Sequence, residues 1–263
     1  MDDIVDGPGT TNVFRIAPDA APATAEVEAA QRALVSDGVC LLPPATVTSW
    51  LHGAVGENEK DWADFSSHWE ELSPDRYAAE SGTCRLRRYG QFSLSTATGE
   101  LSLLPHIPFV QPEHTNPLYE HVDRHFDPLS GAFAADPVLH RLLGLLGAFA
   151  DALGEKDRWN VKVHPFRVVA TSGGEGRPTP EGRHRDGVTL VSSLLVGRRN
   201  ATGGESTVLT PDGQELVATT LEEPGSLLLG DDRRTLHAVS PIRPLDPAKP
   251  AYRDVLVVTC TEG

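Results

Sequence analysis

The stretch WNVKVHPFRVVAT, residues 159–171, opens a change of texture that decides the fold. After it come TLVSSLLVG (189–197), STVLT (206–210), ELVATT (215–220), SLLLG (226–230), LHAVS (236–240) and RDVLVVTC (253–260). Each is a short run rich in β-branched side chains, and Gly, Pro, Asn and Asp separate them. Branched side chains suit a pleated strand, and those separators suit tight turns. Evenly spaced strands with no helices between them predict an antiparallel sandwich or barrel.

Towards the N-terminus the pattern turns helical. Spacing predicts helices over Thr24–Val35, Val47–Val55, Glu59–Leu72, Pro117–Phe126 and Val138–Leu153. The last carries Leu139, Leu142, Leu143, Leu146 and Phe149 on one face. DGVCLLP gives a turn into a strand over Val39–Leu42, and CRLRRYGQF (84–92) reads as one further strand. Residues 1–23, rich in Gly, Pro, Asp and Ala, are expected to form a loose arm. No repeat or linker divides the remainder, so residues 24–263 are expected to form one mainly β domain with helices packed against it.

The formal net charge is -14, which disfavours nucleic acid and anionic lipid as partners. A small molecule is the expected partner. The three cysteines, Cys40, Cys84 and Cys260, form no Cys-x-x-Cys pair and no disulfide framework. The opening MDDIVDGPGT has no apolar run, and no stretch approaches the about 20 apolar residues that span a bilayer. The expectation is a soluble, cytoplasmic protein that neither enters a membrane nor binds nucleic acid.

His184-Arg185-Asp186 places an imidazole and a carboxylate on the same side of an extended segment, because residues i and i+2 share a face. His237 lies on a later strand that antiparallel pairing can bring opposite. Two His and one carboxylate on one face of a metal leave positions open for further ligands, as iron(II) oxygenases require. Two other His-x-Asp pairs exist, His121-Val122-Asp123 and His125-Phe126-Asp127, but they sit in the expected helix 117–126, where i and i+2 point apart. An oxo-acid co-substrate would need a cation for its second carboxylate. Arg253 opens the last strand and is favoured for this; Arg243, between Pro241 and Pro244, is the rival.

Several linked blocks then resemble one family. HRDGVTLVSSLLVGRRNATGGESTVL (184–209), EEPGSLLLGDDRRTLHAVSPI (222–242) and RDVLVVTC are similar to the bacterial 2-oxoglutarate/Fe(II) dioxygenases typified by the L-isoleucine hydroxylases. RLRRYGQF (85–92), PFVQPEHTNPLYEHVDRHFDPL (108–129) and VHPFRVVATSGGEGRPTPEGRHRDG (163–187) extend the resemblance upstream. It implies a double-stranded β-helix, the cupin-like jelly roll. It also implies Fe(II) held by His184, Asp186 and His237, with 2-oxoglutarate and O2 as co-substrates and the distal carboxylate of 2-oxoglutarate on Arg253. The implied substrate is a free, aliphatic amino acid, hydroxylated at an unactivated carbon.

Such a substrate needs a cation for its carboxylate and polar groups for its ammonium. Arg124, Gln111, Asn116 and Arg88 are the candidates for that pocket. His164 and Arg167, on the strand before the metal motif, are candidates for supporting the co-substrate. Glu120–Phe126 departs from the Gly-rich stretch usual in the family, which leaves substrate choice open. Three further readings remain alongside: a jelly-roll metalloenzyme without 2-oxoglutarate, a member of the same family performing desaturation or cyclisation, and a binding module whose His residues only satisfy hydrogen bonds. No Gly-x-Ser-x-Gly and no phosphate loop ending in Gly-Lys-Ser/Thr supports a hydrolase or a nucleotide binder.

Overall fold

The computed structural model describes residues 12–16, 25–51, 58–111 and 123–263. The large sheet runs from edge to edge as Val13–Arg15, Glu100–Leu103, Gly90–Ser95, Arg158–Ala170, Ala251–Glu262, Leu190–Arg199, Leu227–Asp231 and Val39–Leu42. A smaller sheet of Glu215–Thr220, Glu205–Leu209 and Leu236–Val239 lies opposite, and every ladder in both is antiparallel. This is the expected jelly roll. A chamber opens between the sheets, lined by Val191, Ser193 and Val257 from one and Ser206, Val208 and Val239 from the other.

The strand Arg158–Ala170 divides the core from the chamber. Its Trp159, Val161 and Val163 join the main apolar core, while Lys162, His164, Phe166 and Val168 line the chamber. This is the period-two alternation of a pleated strand. Its neighbour Ala251–Glu262 repeats the division: Leu256, Val258 and Cys260 face the core, and Arg253, Val255, Val257 and Thr259 face the chamber. Register pairs like with like, Val163 with Val258 and His164 with Val257.

Helices cover the core side. Pro137–Leu153 starts where Asp136 Oδ1 accepts the amides of Val138 and Leu139, with Pro137 pre-set for a first turn. It buries Leu139, Leu142, Leu143, Leu146 and Phe149. Gly147 lets it approach the sheet, since a Cβ there would stand 2.6 Å from Leu94 Cδ2. Burying five such side chains contributes on the order of 10 kcal/mol before conformational entropy is subtracted.

Most expected elements appear within a few residues: Ala25–Asp37, Val39–Leu42, Pro44–Leu51 and Asn58–Ser67, the last followed by a 3-10 turn, His68–Glu71. Three differ. Val13–Arg15, within the expected loose arm, pairs as an edge strand with Glu100–Ser102. CRLRRYGQF is two strands, Cys84–Arg87 and Gly90–Ser95. Arg87 pairs with Phe166 and Gly90 with Val163 in one register, and the ladder is interrupted at Arg88 and Tyr89, where Tyr89 bonds the backbone at Asp127 and Leu129 instead. The expected helix 117–126 lies largely outside the described residues; its last part, Asp123–Phe126, is extended, with Arg124 and Phe109 exchanging backbone hydrogen bonds. No helix among the described residues is long and apolar enough to cross a membrane.

Candidate metal centre and its chamber

His184 and His237 face each other across a narrow antiparallel bridge, each donating its amide to the other's carbonyl, at 3.0 and 2.8 Å. Their rings therefore share a face, with centroids 4.3 Å apart. Asp186, two residues on, joins them. One ligand atom from each of the three lies within 4.8 Å of the others.

Two of the three candidate ligands, His184 and Asp186, are held from behind. The Gly182 carbonyl can only accept, so His184 Nδ1 carries the proton in their 3.0 Å bond and Nε2 presents its lone pair. Asp186 Oδ1 accepts from Gln111 Nε2 at 3.1 Å, and Gln111 Oε1 in turn accepts from Arg124 Nη2. Burial, with His184 beside it and Asp186 opposing, pushes the His237 imidazole down to about 4, so it is neutral and able to ligate at neutral pH. Glu181 Oε1 also stands 3.4 Å from His184 Nε2, a neighbour the sequence did not announce.

Arg253 is the second feature of the chamber. It is 2% exposed, and neither Nε nor Nη2 has a hydrogen-bond partner among the described residues. Burial and nearby Arg198 push it down to about 10. A buried guanidinium without a carboxylate is costly unless a ligand supplies one. Gly204 makes its space, and Gly203 beside it lets the backbone pass close to Pro241. Both have positive φ, and a Cβ at Gly204 would stand 3.3 Å from Arg253 Cδ and 2.9 Å from Ile242 Cγ2. These residues fit a divalent metal and a dicarboxylate: the donors are two imidazoles and a carboxylate, and the spare cation opens on the same chamber, about 210 Å³ in volume.

The other candidates divide. His164, Gln111 and Arg124 line the chamber. Arg167 does not: three residues from His164 on one strand, it points to the opposite face and grips Asp254 at 2.7 and 2.8 Å and Glu70 at 2.8 Å. Arg88 is also turned away, donating to the carbonyls of Glu71 and Pro128, and its neighbour Arg87 takes the chamber position. Asn116 lies outside the described residues. Arg243, the rival to Arg253, pairs with Glu175 at an exposed site. Of the other His-x-Asp pairs, His121-Val122 lies outside the described residues, and Asp127 accepts from Ser73 at 2.5 Å, away from the triad. Sequence alternation already put Arg87 and Arg88 on opposite faces, but it could not say which face was inner.

A jelly roll with this triad and this spare arginine is the arrangement of a 2-oxoglutarate-dependent iron oxygenase. The family profile of 2OG-Fe dioxygenases matches residues 66–259, and the chain belongs to that family. Its cofactor is Fe(II) and its co-substrates are 2-oxoglutarate and O2, so the binding-module reading and the metalloenzyme without 2-oxoglutarate both fall away. Among characterised relatives, 3(1)-hydroxy-L-isoleucine 4-dioxygenase of Pantoea ananatis (strain AJ13355) is 26% identical over 212 residues, covering 77% of this chain and 83% of that protein. A bsmA homolog from Methylobium petroleophilum PM1 has a similar structure, with TM-score 0.80 and 38% identity over 90% of this chain and 93% of its own. IDO from Bacillus thuringiensis shares the fold, with TM-score 0.75 and 20% identity over 90% and 99% of the two chains.

Proposed function

We propose that this dioxygenase hydroxylates an unactivated C–H bond of a free, aliphatic amino acid. His184, Asp186 and His237 hold the iron, and Arg253 holds the distal carboxylate of 2-oxoglutarate. The observation that carries the assignment of residues is the pairing, in one chamber, of a three-residue candidate ligand cluster with a buried arginine that has no anion among the described residues. The amino-acid substrate is supported by the named activity of the Pantoea relative.

With its co-substrates bound, the iron supplies the oxidant, and the sum of the reaction is substrate, 2-oxoglutarate and O2 giving alcohol, succinate and CO2. The protein's part is positional. Arg253 anchors one end of the co-substrate, so that its 2-oxo-acid end is delivered to the metal in one orientation. Gln111 ties down Asp186 Oδ1 and leaves Oδ2, 3.6 Å from His237 Nε2, towards the cluster. Val191, Val208, Val255 and Val257 give the chamber an apolar wall that excludes bulk water.

Anaerobic titration with iron(II) and 2-oxoglutarate tests the reading. A weak visible charge-transfer band is expected, absent in His184→Ala and weakened in Arg253→Ala. A screen of free amino acids should then couple succinate formation to a hydroxylated product. Turnover of 2-oxoglutarate that stays uncoupled from every free amino acid would sink the proposed substrate class.

A further inference from the structure

Arg253 is not the chamber's sole buried cation: Arg85, Arg87 and Arg124 also line it. Arg87, at the end of the strand Cys84–Arg87, is 3% exposed and lines the cavity. Among the described residues, Asp75 is the one carboxylate within 4.0 Å of it, with Oδ2 at 4.0 Å from Nη1. That carboxylate is already committed. Its Oδ1 accepts the amides of Tyr77 and Ala78, both at 3.1 Å, and its Oδ2 accepts Arg85 Nε at 2.8 Å and pairs with Arg85 Nη2 at 2.8 Å. Two guanidiniums thus share one negative charge, and Arg87 is the distant party. Its Nε has no partner. The rings of Phe126 and Phe166, with centroids 3.6 and 4.5 Å from its guanidinium carbon, stack on the group without neutralising it.

Among the described residues, the one hydrogen bond of the Arg87 side chain runs from Nη2 to His164 Nδ1, at 2.7 Å. A guanidinium can only donate, so Nδ1 accepts and the ring proton sits on Nε2. Protonating the ring would set two cations against each other in a site with little water. Burial first, and then Arg87, Lys162, Arg124 and Arg85, hold the imidazole well below its usual value. His164 is therefore a neutral donor of fixed tautomer on the chamber wall, and it is unsuited to act as a base.

From these two residues we propose that Arg87 and His164 form the subsite for the substrate's own carboxylate, so that the enzyme takes free acids and rejects the matching amides and peptides. The proposal rests on the amino-acid reading above and specifies which end of the substrate is recognised. Arg253 does not compete for this role. Arg87 and Arg253 sit on the two strands flanking Arg158–Ala170, opposite Phe166 and Val168. Strand spacing and rise put their Cα atoms about 12 Å apart. One chamber thus offers separate anchors for two anions.

The test compares L-isoleucine with L-isoleucinamide, and L-leucine with L-leucinamide, on the iron-loaded enzyme. Two readouts are taken: product formation, and the change each compound causes in the anaerobic iron–2-oxoglutarate band. Wild type is expected to favour the acid about 10- to 100-fold, the range for a charge-assisted contact. In Arg87→Met the preference should fall below about threefold, mainly through KM, while the band and its 2-oxoglutarate dependence remain. His164→Leu should lose most of the preference, and His164→Gln, which keeps a neutral donor, should recover part of it. If Arg87→Met does not fold, the two His164 variants carry the test.

Unchanged acid preference in Arg87→Met and His164→Leu overturns the proposal. So does loss of the band itself in Arg87→Met, since Arg87 would then serve the co-substrate. Failure of the amino-acid reading looks different: wild type forms the band, yet no amino acid perturbs it. In that case 4-methylpentanoate and its amide replace the amino acids, and an equal response to both overturns the subsite as well.

Discussion

One carboxylate oxygen of Asp232 stands 3.7 Å from His237 Nδ1, and the same side chain clamps the loop that carries Asp186. Its Oδ1 accepts the Asp186 amide at 3.1 Å, and its Oδ2 accepts the amides of Gly187 and Val188 at 2.7 and 3.1 Å. A single buried residue therefore fixes the relation between two members of the triad. Asp232→Asn should weaken iron(II) retention by about 10- to 100-fold, the usual scale for residues that orient metal ligands. Competition of the apoprotein against a chelator of known affinity checks this; retention equal to wild type would show that the loop holds itself.

Arg253→Ala should separate co-substrate from metal. Removing a charge-assisted contact of about 1.5–3 kcal/mol raises the 2-oxoglutarate requirement by about 10- to 100-fold. Iron stoichiometry should stay at the wild-type value, because Arg253 contributes no ligand atom to the cluster. Equal losses of iron and of 2-oxoglutarate would count against a separate anchor.

Arg167→Ala should do the reverse. Its partner Asp254 is 6% exposed in its side chain, so the substitution leaves a nearly buried carboxylate without its guanidinium. Breaking such a pair costs about 3–5 kcal/mol. The urea midpoint should fall accordingly, while the KM for 2-oxoglutarate moves by less than about twofold. A large KM effect would return Arg167 to the co-substrate.

Asp75→Asn carries a pH signature. Burial alone would raise the Asp75 carboxyl, but Arg85 and Arg87 and the Ala78 amide more than offset it, leaving it below the ordinary 3.8. A depressed native value contributes stability that is present above the unfolded value and lost as pH falls through the native one. The destabilisation caused by Asp75→Asn should thus be constant from about pH 7 to 5 and shrink below about 3.8. Urea unfolding of both proteins across that range measures it; a difference that grows on acidification contradicts the sign.

Much of this was legible in the sequence because it depends on short periods. The strands Val39–Leu42 and Arg158–Ala170 and the helix Pro137–Leu153 follow from alternation or from 3.6-residue spacing. The His184–Asp186 geometry needs only i, i+2. Strand order offered His237 as the closing ligand and Arg253 as the anion partner, and the family resemblance strengthened both, since ladder partners in a barrel are set far along the chain. What stayed hidden was set by tertiary register. Alternation sets Arg87 and Arg88 on opposite faces, but only the packing of the strand in the sheet shows that Arg87 is the inner one. Arg167 looked as suitable as His164, although an odd spacing between them was a signal that only one could face the chamber. Asp232 gave no sign, because its partners are backbone amides more than 40 positions away, at an |i−j| of 44 to 46.

The alternation along Arg158–Ala170 has a consequence for how such an enzyme can diverge. Positions 162, 164, 166 and 168 decide what the molecule can hold, and 159, 161 and 163 decide how firmly it stands. Exchange at an even position can alter specificity while the odd ones keep the fold. Inserting a single residue would trade the two sets at once, burying Lys162 and His164 among leucines and spilling Val161 and Val163 into the reaction space. New substrates are therefore reached on this scaffold by replacing letters in that strand, and never by adding one.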